Sequence, residues 1–298
     1  MRAFVTGATG LIGQRLCREL LEDGHEVVAL SRKPQGGDGI EWVQGDATGP
    51  GDWQRALDGC DAVINLAGES VAGRRWSAAR KRVLVASRVE TTNHLVDAIA
   101  AAKSRPRSLV SASAVGFYGP RGGTLLREDA APGRDFLARL CVDWEAAAAG
   151  AQRHGVRVVC LRFGVVLSRR GGALAAMKAP YRLGLGGAIG SKGNWFPWVH
   201  DDDAVGLTRH ALEASWAGPV NVVSPAVVTM GEFARELGRA VHRPILGQVP
   251  LPLARLALGE FAYSISPGQK VHPAVAERVG YAFSKALLRD ALAECLAG

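Results

Sequence analysis

Three glycines, Gly7, Gly10 and Gly13, separate a short apolar run at residues 3–6 from a stretch in which Ile12, Leu16, Leu20 and Leu21 recur with helical spacing. Gly24 is placed to stop that helix, and residues 26–30 (Glu-Val-Val-Ala-Leu) read as a second buried strand. Strand, glycine turn, helix and strand within so short a span make one βαβ unit. In such a unit each glycine has its own physical reason. One allows a tight turn, one leaves room for phosphates, and one permits close contact of helix and strand. The pattern predicts that backbone N–H groups at a helix N-terminus face a pyrophosphate, with Gly7, Thr9, Gly10, Leu11, Ile12 and Gly13 around it.

The end of the second strand selects the dinucleotide. An NAD site usually offers Asp or Glu there to the ribose 2′-hydroxyl. This chain has Ser31, Arg32 and Lys33. A guanidinium can bind a 2′-phosphate bidentately and the neighbouring ammonium adds a point charge, so NADP(H) is the expected cofactor. After a polar loop at residues 34–39, a third strand leads to Asp46, whose carboxylate either accepts the adenine amino group or builds a turn.

The rhythm continues. Residues 52–59 read as a short helix and residues 61–68 as an almost unbroken apolar strand. Leu66, Ala67 and Gly68 at its end are small or apolar enough for a cofactor to lie against the backbone. A long helix follows at residues 77–103, carrying Arg88, and then a strand at residues 108–113. Asp135 is placed to cap a helix at residues 136–154, and a further strand is expected at residues 156–164. Alternation of this kind predicts an α/β fold, a doubly wound parallel (Rossmann) sheet. Residues 1–167 are expected to form the nucleotide-binding domain, with residues 201–223 returning to it. Beyond residue 168 the βαβ rhythm fades, and residues 168–298 are expected to form a smaller interleaved domain for a substrate or partner.

Composition narrows the function classes. The 298 residues carry a net charge of +8, but the basic residues come in small knots and aromatics make up only 6%, so nucleic-acid binding is not expected. An anionic cofactor and an anionic small-molecule substrate account for part of the charge. Nor is a membrane association expected, since no apolar run reaches the ~18 residues of a span. Five cysteines without a CxxC read as thiols in a reducing cytoplasm, and seven scattered histidines without HxH or HExxH predict no metal site.

Several stretches together resemble the extended short-chain dehydrogenase/reductases of the sugar-nucleotide epimerase/dehydratase branch. They are Thr6-Gly-Ala-Thr-Gly-Leu-Ile-Gly13, Asn65-Leu-Ala-Gly68, Ser111-Ala-Ser113 with Tyr118-Gly119, and Val199-His-Asp-Asp-Asp203. Asn65-Leu-Ala-Gly-Glu-Ser70, Arg75-Trp76, Trp144-Glu-Ala-Ala147, Arg182-Leu-Gly-Leu-Gly-Gly187 and Gly268-Gln-Lys-Val271 are similar to an atypical group with a C-terminal segment of uncharacterised function. The resemblance implies Ser113 in the catalytic serine slot, Arg88 near an active-site asparagine position, and Glu69 and Arg162 at strand ends facing the cofactor. It also exposes a departure. Where ordinary members carry Tyr-x-x-x-Lys, alignment by Glu145 places Leu137 and Cys141. Leucine has no proton to exchange and a thiol carries no fixed positive charge. Two readings follow: an NADP(H)-dependent oxidoreductase or epimerase with a different proton path, or a catalytically silent NADPH-binding regulator. Tyr118 is expected to pack under its loop. His200 with Asp202 and Asp203 reads as a base with its orienting acids, or else the three acids opening the helix are its dipole and cap partners.

Overall fold

The computed structural model describes residues 1–33, 35–36, 38–72, 74–245, 247–250, 252, 254, 260 and 268–297. Within the expected loop at residues 34–39, positions 34 and 37 lie outside the described residues. Seven strands form the central sheet: β1 (Arg2–Thr6), β2 (Glu26–Ser31), β3 (Glu41–Gln44), β4 (Ala62–Asn65), β5 (Ser108–Ala114), β6 (Arg157–Phe163) and β7 (Gly218–Val222). Their spatial order is β7-β6-β5-β4-β1-β2-β3, and every neighbouring pair is parallel. The order reverses between β1 and β4, so both strands deliver their carboxyl ends to one crevice. Ligands of open α/β sheets bind in such a crevice.

Apolar residues on both faces of the strands explain the layering, because a parallel sheet must be covered on both sides. On one face, Leu16, Cys17 and Leu20 of helix α1 (Leu11–Glu22) share a core with Ala204, Val205, Leu207 and Ala211 from residues 201–213. On the other face, Leu95, Ala98 and Ile99 pack with Trp53, Leu57 and Ala148.

The predicted long helix is two helices joined by a wider turn. Helix α2 (Ala78–Val85) is capped by Ser77, whose Oγ accepts from Arg80 N at 3.1 Å. A π turn at Ala86–Glu90 follows, and α3 (Thr91–Ala101) continues. Thr92 Oγ1 donates to Arg88 O at 2.6 Å across the junction. Such π turns collect at functional sites, and this one carries Ser87 and Arg88. The next helix, α4 (Phe136–Ala149), starts where expected, with Asp135 accepting from Ala138 N at 2.8 Å. It tightens into a 3-10 turn at Gly150–His154 and stops at Gly155, whose φ of 78° suits glycine.

Further α-helices among the described residues are α5 (Gly172–Arg182), α6 (Asp201–Glu213), α7 (Met230–Ala240), α8 (Ala274–Arg278) and α9 (Leu288–Leu296). Phe196 and Trp198 join Phe233, Leu237, Leu288 and Leu292 in a separate apolar cluster. Helix α8 sends Val275 and Ala276 into the main core beside α6. Among the described residues no helix is long and apolar enough to cross a membrane.

Candidate functional site

The glycine loop between β1 and α1 divides its work. Gly7 has φ 72°, and a Cβ there would lie 2.5 Å from the backbone of Leu66. It therefore seats β1 against the chain leaving β4. A Cβ on Gly13 would fall 2.2 Å from Gly7 O, so that glycine closes helix onto loop. Gly10 differs: its Cβ would meet a single atom within the protein, Gly7 O at 3.1 Å. Helix α1 begins there without a side-chain cap and without an acidic residue in its first turn. The N–H groups of Leu11, Ile12 and Gly13 have no helical acceptor. Thr9 is exposed beside them. Uncapped donors, a positive helix end and an open cradle fit a pyrophosphate.

At the outer end of the crevice, Ser31 Oγ accepts from Lys33 N at 3.2 Å. The Arg32 side chain is exposed and its guanidinium lies 3.7 Å from Glu69 Oε1. Glu69 is also paired with Arg80 at 3.3 Å. Asp46 forms a turn: Oδ1 accepts from Thr48 N at 3.0 Å and from Thr48 Oγ1 at 2.8 Å. Those bonds, the backbone one foremost, hold the carboxyl below its ordinary range.

Behind Leu66, Ala67 and Gly68 lies a buried polar network that fixes the crevice floor. Asn65 Oδ1 accepts from Thr6 Oγ1 at 2.7 Å, and Asn65 Nδ2 donates to Thr92 Oγ1 at 2.9 Å and Ser111 Oγ at 3.2 Å. Trp144 Nε1 donates to the same Thr92 oxygen at 3.0 Å. The π turn then grips the loop after β4. Ser87 Oγ accepts from Glu69 N at 3.2 Å, and Arg88 Nη2 donates to Glu69 O at 2.9 Å. The Arg88 guanidinium sits over the Trp144 ring and 3.3 Å from where a Gly68 Cβ would be. Burial lowers its pKa. Arg88 thus anchors the backbone on which a cofactor would lie.

Ser113 lies near the end of β5 and donates to Glu145 Oε1 at 2.6 Å. Glu145 is clamped by Arg162, with Nε to Oε1 and Nη2 to Oε2 both at 2.8 Å. The sequence expectation placed Arg162 toward the cofactor. In the structure its guanidinium turns inward, and Nη1 donates to Tyr118 OH and Glu128 O, both at 2.9 Å. A strand-end guanidinium with so many internal acceptors has little reason to face solvent. The hydrogen bonds and charge of Glu145 raise its pKa against the opposing effect of burial. Tyr118 is fully buried and donates to Asn221 Oδ1 at 2.6 Å; burial pushes its phenol up to about 12.

Leu137 and Cys141 stand together under Gly116, where a Cβ would meet Leu137 Cβ at 3.4 Å and Cys141 Sγ at 3.8 Å. Burial pushes the Cys141 thiol up to about 12, so it stays protonated near neutrality. Sequence reasoning missed the part Glu145 plays here. The signal was present: Leu137, Cys141 and Glu145 follow one another at i, i+4 and i+8 on the helix face that meets β5. His200 caps α6, its Nδ1 accepting from Asp202 N at 3.2 Å. Phe196 and Trp198 are buried, and Trp195 carries the Lys270 ammonium 4.4 Å from its ring centre.

Comparison with known proteins agrees with this geometry. Residues 3–223 match the model of the NAD dependent epimerase/dehydratase family, and residues 249–295 match a domain of unknown function. The chain is 43% identical over 303 residues to the Bos taurus epimerase family protein SDR39U1, with both chains covered in full. It is 38% identical over 300 residues to a chloroplastic homologue from Arabidopsis thaliana, covering 98% of this chain and 86% of the other. The crystal structure of the human epimerase family protein SDR39U1 with NADPH superposes with a TM-score of 0.90 at 38% identity, covering 99% of each chain. The chain belongs to the NAD dependent epimerase/dehydratase family.

Proposed function

We propose that this protein binds NADP(H) in the crevice between β1 and β4 and acts on a small substrate through a hydroxyl-bearing carbon, as an oxidoreductase or epimerase-type enzyme. The uncapped start of α1, the open cradle at Gly10 and the exposed Arg32 support the cofactor assignment. So does the NADPH in the human relative's crystal structure. Five buried free thiols accord with a reducing compartment such as the cytoplasm.

The observation that carries the substrate reading is the direction of the Ser113 hydrogen bond. A carboxylate clamped by Arg162 is an acceptor only, so Ser113 must give its one proton to Glu145. The lone pairs of Oγ are what Ser113 can then offer a substrate. An acceptor suits a substrate hydroxyl better than a carbonyl oxygen. Ser113 is assigned to orient that hydroxyl, Glu145 and Arg162 hold Ser113 in place, and Arg88 fixes the loop at Glu69. A bound nicotinamide supplies the hydride chemistry. Lacking the usual tyrosine, such a site forgoes the ~10²–10⁴-fold contribution of a general acid or base, so slow turnover is expected.

The rival reading, a silent NADPH-binding regulator, draws on the same Leu137 and Cys141. Steady-state assays with alcohol and ketone forms of sugar nucleotides and other small polyols separate the two. Ser113→Ala should lower kcat by about 10²-fold or more, the scale of losing an oriented polar group in the reacting complex, while NADPH affinity is kept. Turnover unaffected by Ser113→Ala contradicts the assignment of Ser113. No turnover with any substrate, despite tight NADPH binding, favours the regulator.

A further inference from the structure

A polar cavity has a lining of its own. Its volume is about 420 Å³, and it is bounded by Arg15 and Arg18 of α1, Arg169 and Arg170 after residue 168, His200 at the start of α6, and Glu294 of α9, among others. None of the residues assigned to the cofactor or to Ser113 lines it. We propose that this cavity is a binding site for a phosphate-bearing small molecule.

The charge inventory points to an anion. Each lining carboxylate already has a cation. Asp201 accepts from Arg170 at 2.9 Å and from Ser168 Oγ at 2.6 Å; Asp202 is bound by Arg15; Glu294 is bound by Lys285 at 2.5 Å. The Arg18 and Arg169 guanidinium groups have no hydrogen bond or ion pair among the described residues, so both are surplus positive charge at the rim.

His200 supplies an independent indication. It is 2% exposed, and its Nδ1 is committed to the Asp202 N–H. With Nδ1 as the acceptor of that bond the proton of the neutral ring is assigned to Nε2; Asp202 Oδ2 at 3.3 Å and Asp201 Oδ1 at 3.5 Å flank Nδ1 as well. Nε2 faces the cavity wall with its nearest acidic neighbour, Glu294 Oε1, at 3.9 Å, beyond hydrogen-bond distance. A donor left open in this way is available to an occupant of the cavity. One imidazole N–H and two free guanidinium groups around one cavity make a donor set suited to a tetrahedral oxyanion.

A divalent cation is the competing occupant, since ligand atoms of His200, Asp202 and Glu294 lie within 4.8 Å of one another. It would sit in a cavity lined by four guanidinium groups, and it leaves Arg18 and Arg169 unexplained. The C-terminal segment takes part directly: Glu294 of α9, within the matched domain of unknown function, lines the cavity together with Arg15 and Arg18 of α1.

Calorimetric titration of the full-length protein with inorganic phosphate, at ionic strength fixed with sodium chloride, tests this site. The titration is run with NADPH present and again in Gly10→Val protein, so that phosphate in the glycine loop does not contribute. Saturable one-to-one binding is expected in both. It should weaken about tenfold or more in Arg18→Ala/Arg169→Ala, the scale of losing charge-assisted hydrogen bonds. His200→Asn keeps an oxygen to cap α6 but removes the Nε2 donor, and should weaken it as well. The arginine variants alter exposed side chains, so they decide the matter even if the histidine variant does not fold. Absence of saturable binding, equal affinity in the arginine variants, or tight Zn²⁺ binding abolished by Glu294→Gln overturns the proposal.

Discussion

Gly10→Val should leave the protein folded and remove NADPH binding, a loss of at least about a thousandfold in affinity, or roughly 4 kcal/mol. The reason lies in what surrounds the glycine. Among the described residues, its chain neighbours aside, its Cβ would meet only Gly7 O at 3.1 Å, so that oxygen has to give by a few tenths of an ångström. The branched side chain would instead fill the open cradle before Leu11, Ile12 and Gly13. Gly13→Ala makes the opposite comparison. Its Cβ would lie 2.2 Å from Gly7 O and 2.8 Å from Ala8 Cα, both backbone atoms, so the loop itself must give. Thermal unfolding followed by circular dichroism, with NADPH fluorescence titration, distinguishes the two. Gly10→Val should melt near the parent temperature without binding; Gly13→Ala should melt well below it. A folded Gly10→Val protein that still binds NADPH removes the loop from the cofactor site.

The second large effect is on stability. Arg162→Ala should cost about 3–5 kcal/mol, the range for breaking a buried ion pair from one side. The change strands the Glu145 carboxylate, removes a donor from Tyr118 OH and leaves Glu128 O without its partner. Replacing both ends, Arg162→Met with Glu145→Leu, should recover much of the loss because no unpaired charge remains. Urea unfolding of the three proteins measures it. A loss below 1 kcal/mol in Arg162→Ala shows that the pair does not hold β6 to α4. The double variant also releases the Ser113 proton, so it should fold better than the single one and yet lose the orientation of Ser113.

The sequence was most readable where structure is local. The glycines, the apolar strands and the Asp135 cap lie within a few residues of the elements they define, and each obeys a backbone rule. Glu145 was harder to read because its partners are distant: Ser113 is 32 positions away and Arg162 is 17. Only the packing of α4 against β5 and β6 brings the three together. The π turn at Ala86–Glu90 has no proline or glycine to announce it. It becomes intelligible through Thr92 on Arg88 O and through Ser87 and Arg88 holding Glu69. The acids opening α6 were legible as cap and dipole partners. The cap made by His200 and its open Nε2 were not, because the cavity is assembled from α1, residues near 169, α6 and α9.

The central claim, that this crevice is built for NADP(H), is tested most directly by titrating NADPH and NADH against wild-type and Arg32→Ala protein. Arg32 stands at the end of β2 with an exposed guanidinium and, among the described residues, only a long 3.7 Å contact to Glu69. It is therefore available to a 2′-phosphate. Wild-type protein should prefer NADPH. Arg32→Ala should lose about 1.5–3 kcal/mol of NADPH binding, the worth of charge-assisted hydrogen bonds, and leave NADH nearly unchanged. Equal affinity of the wild type for both cofactors, or equal losses in the variant, contradicts the account.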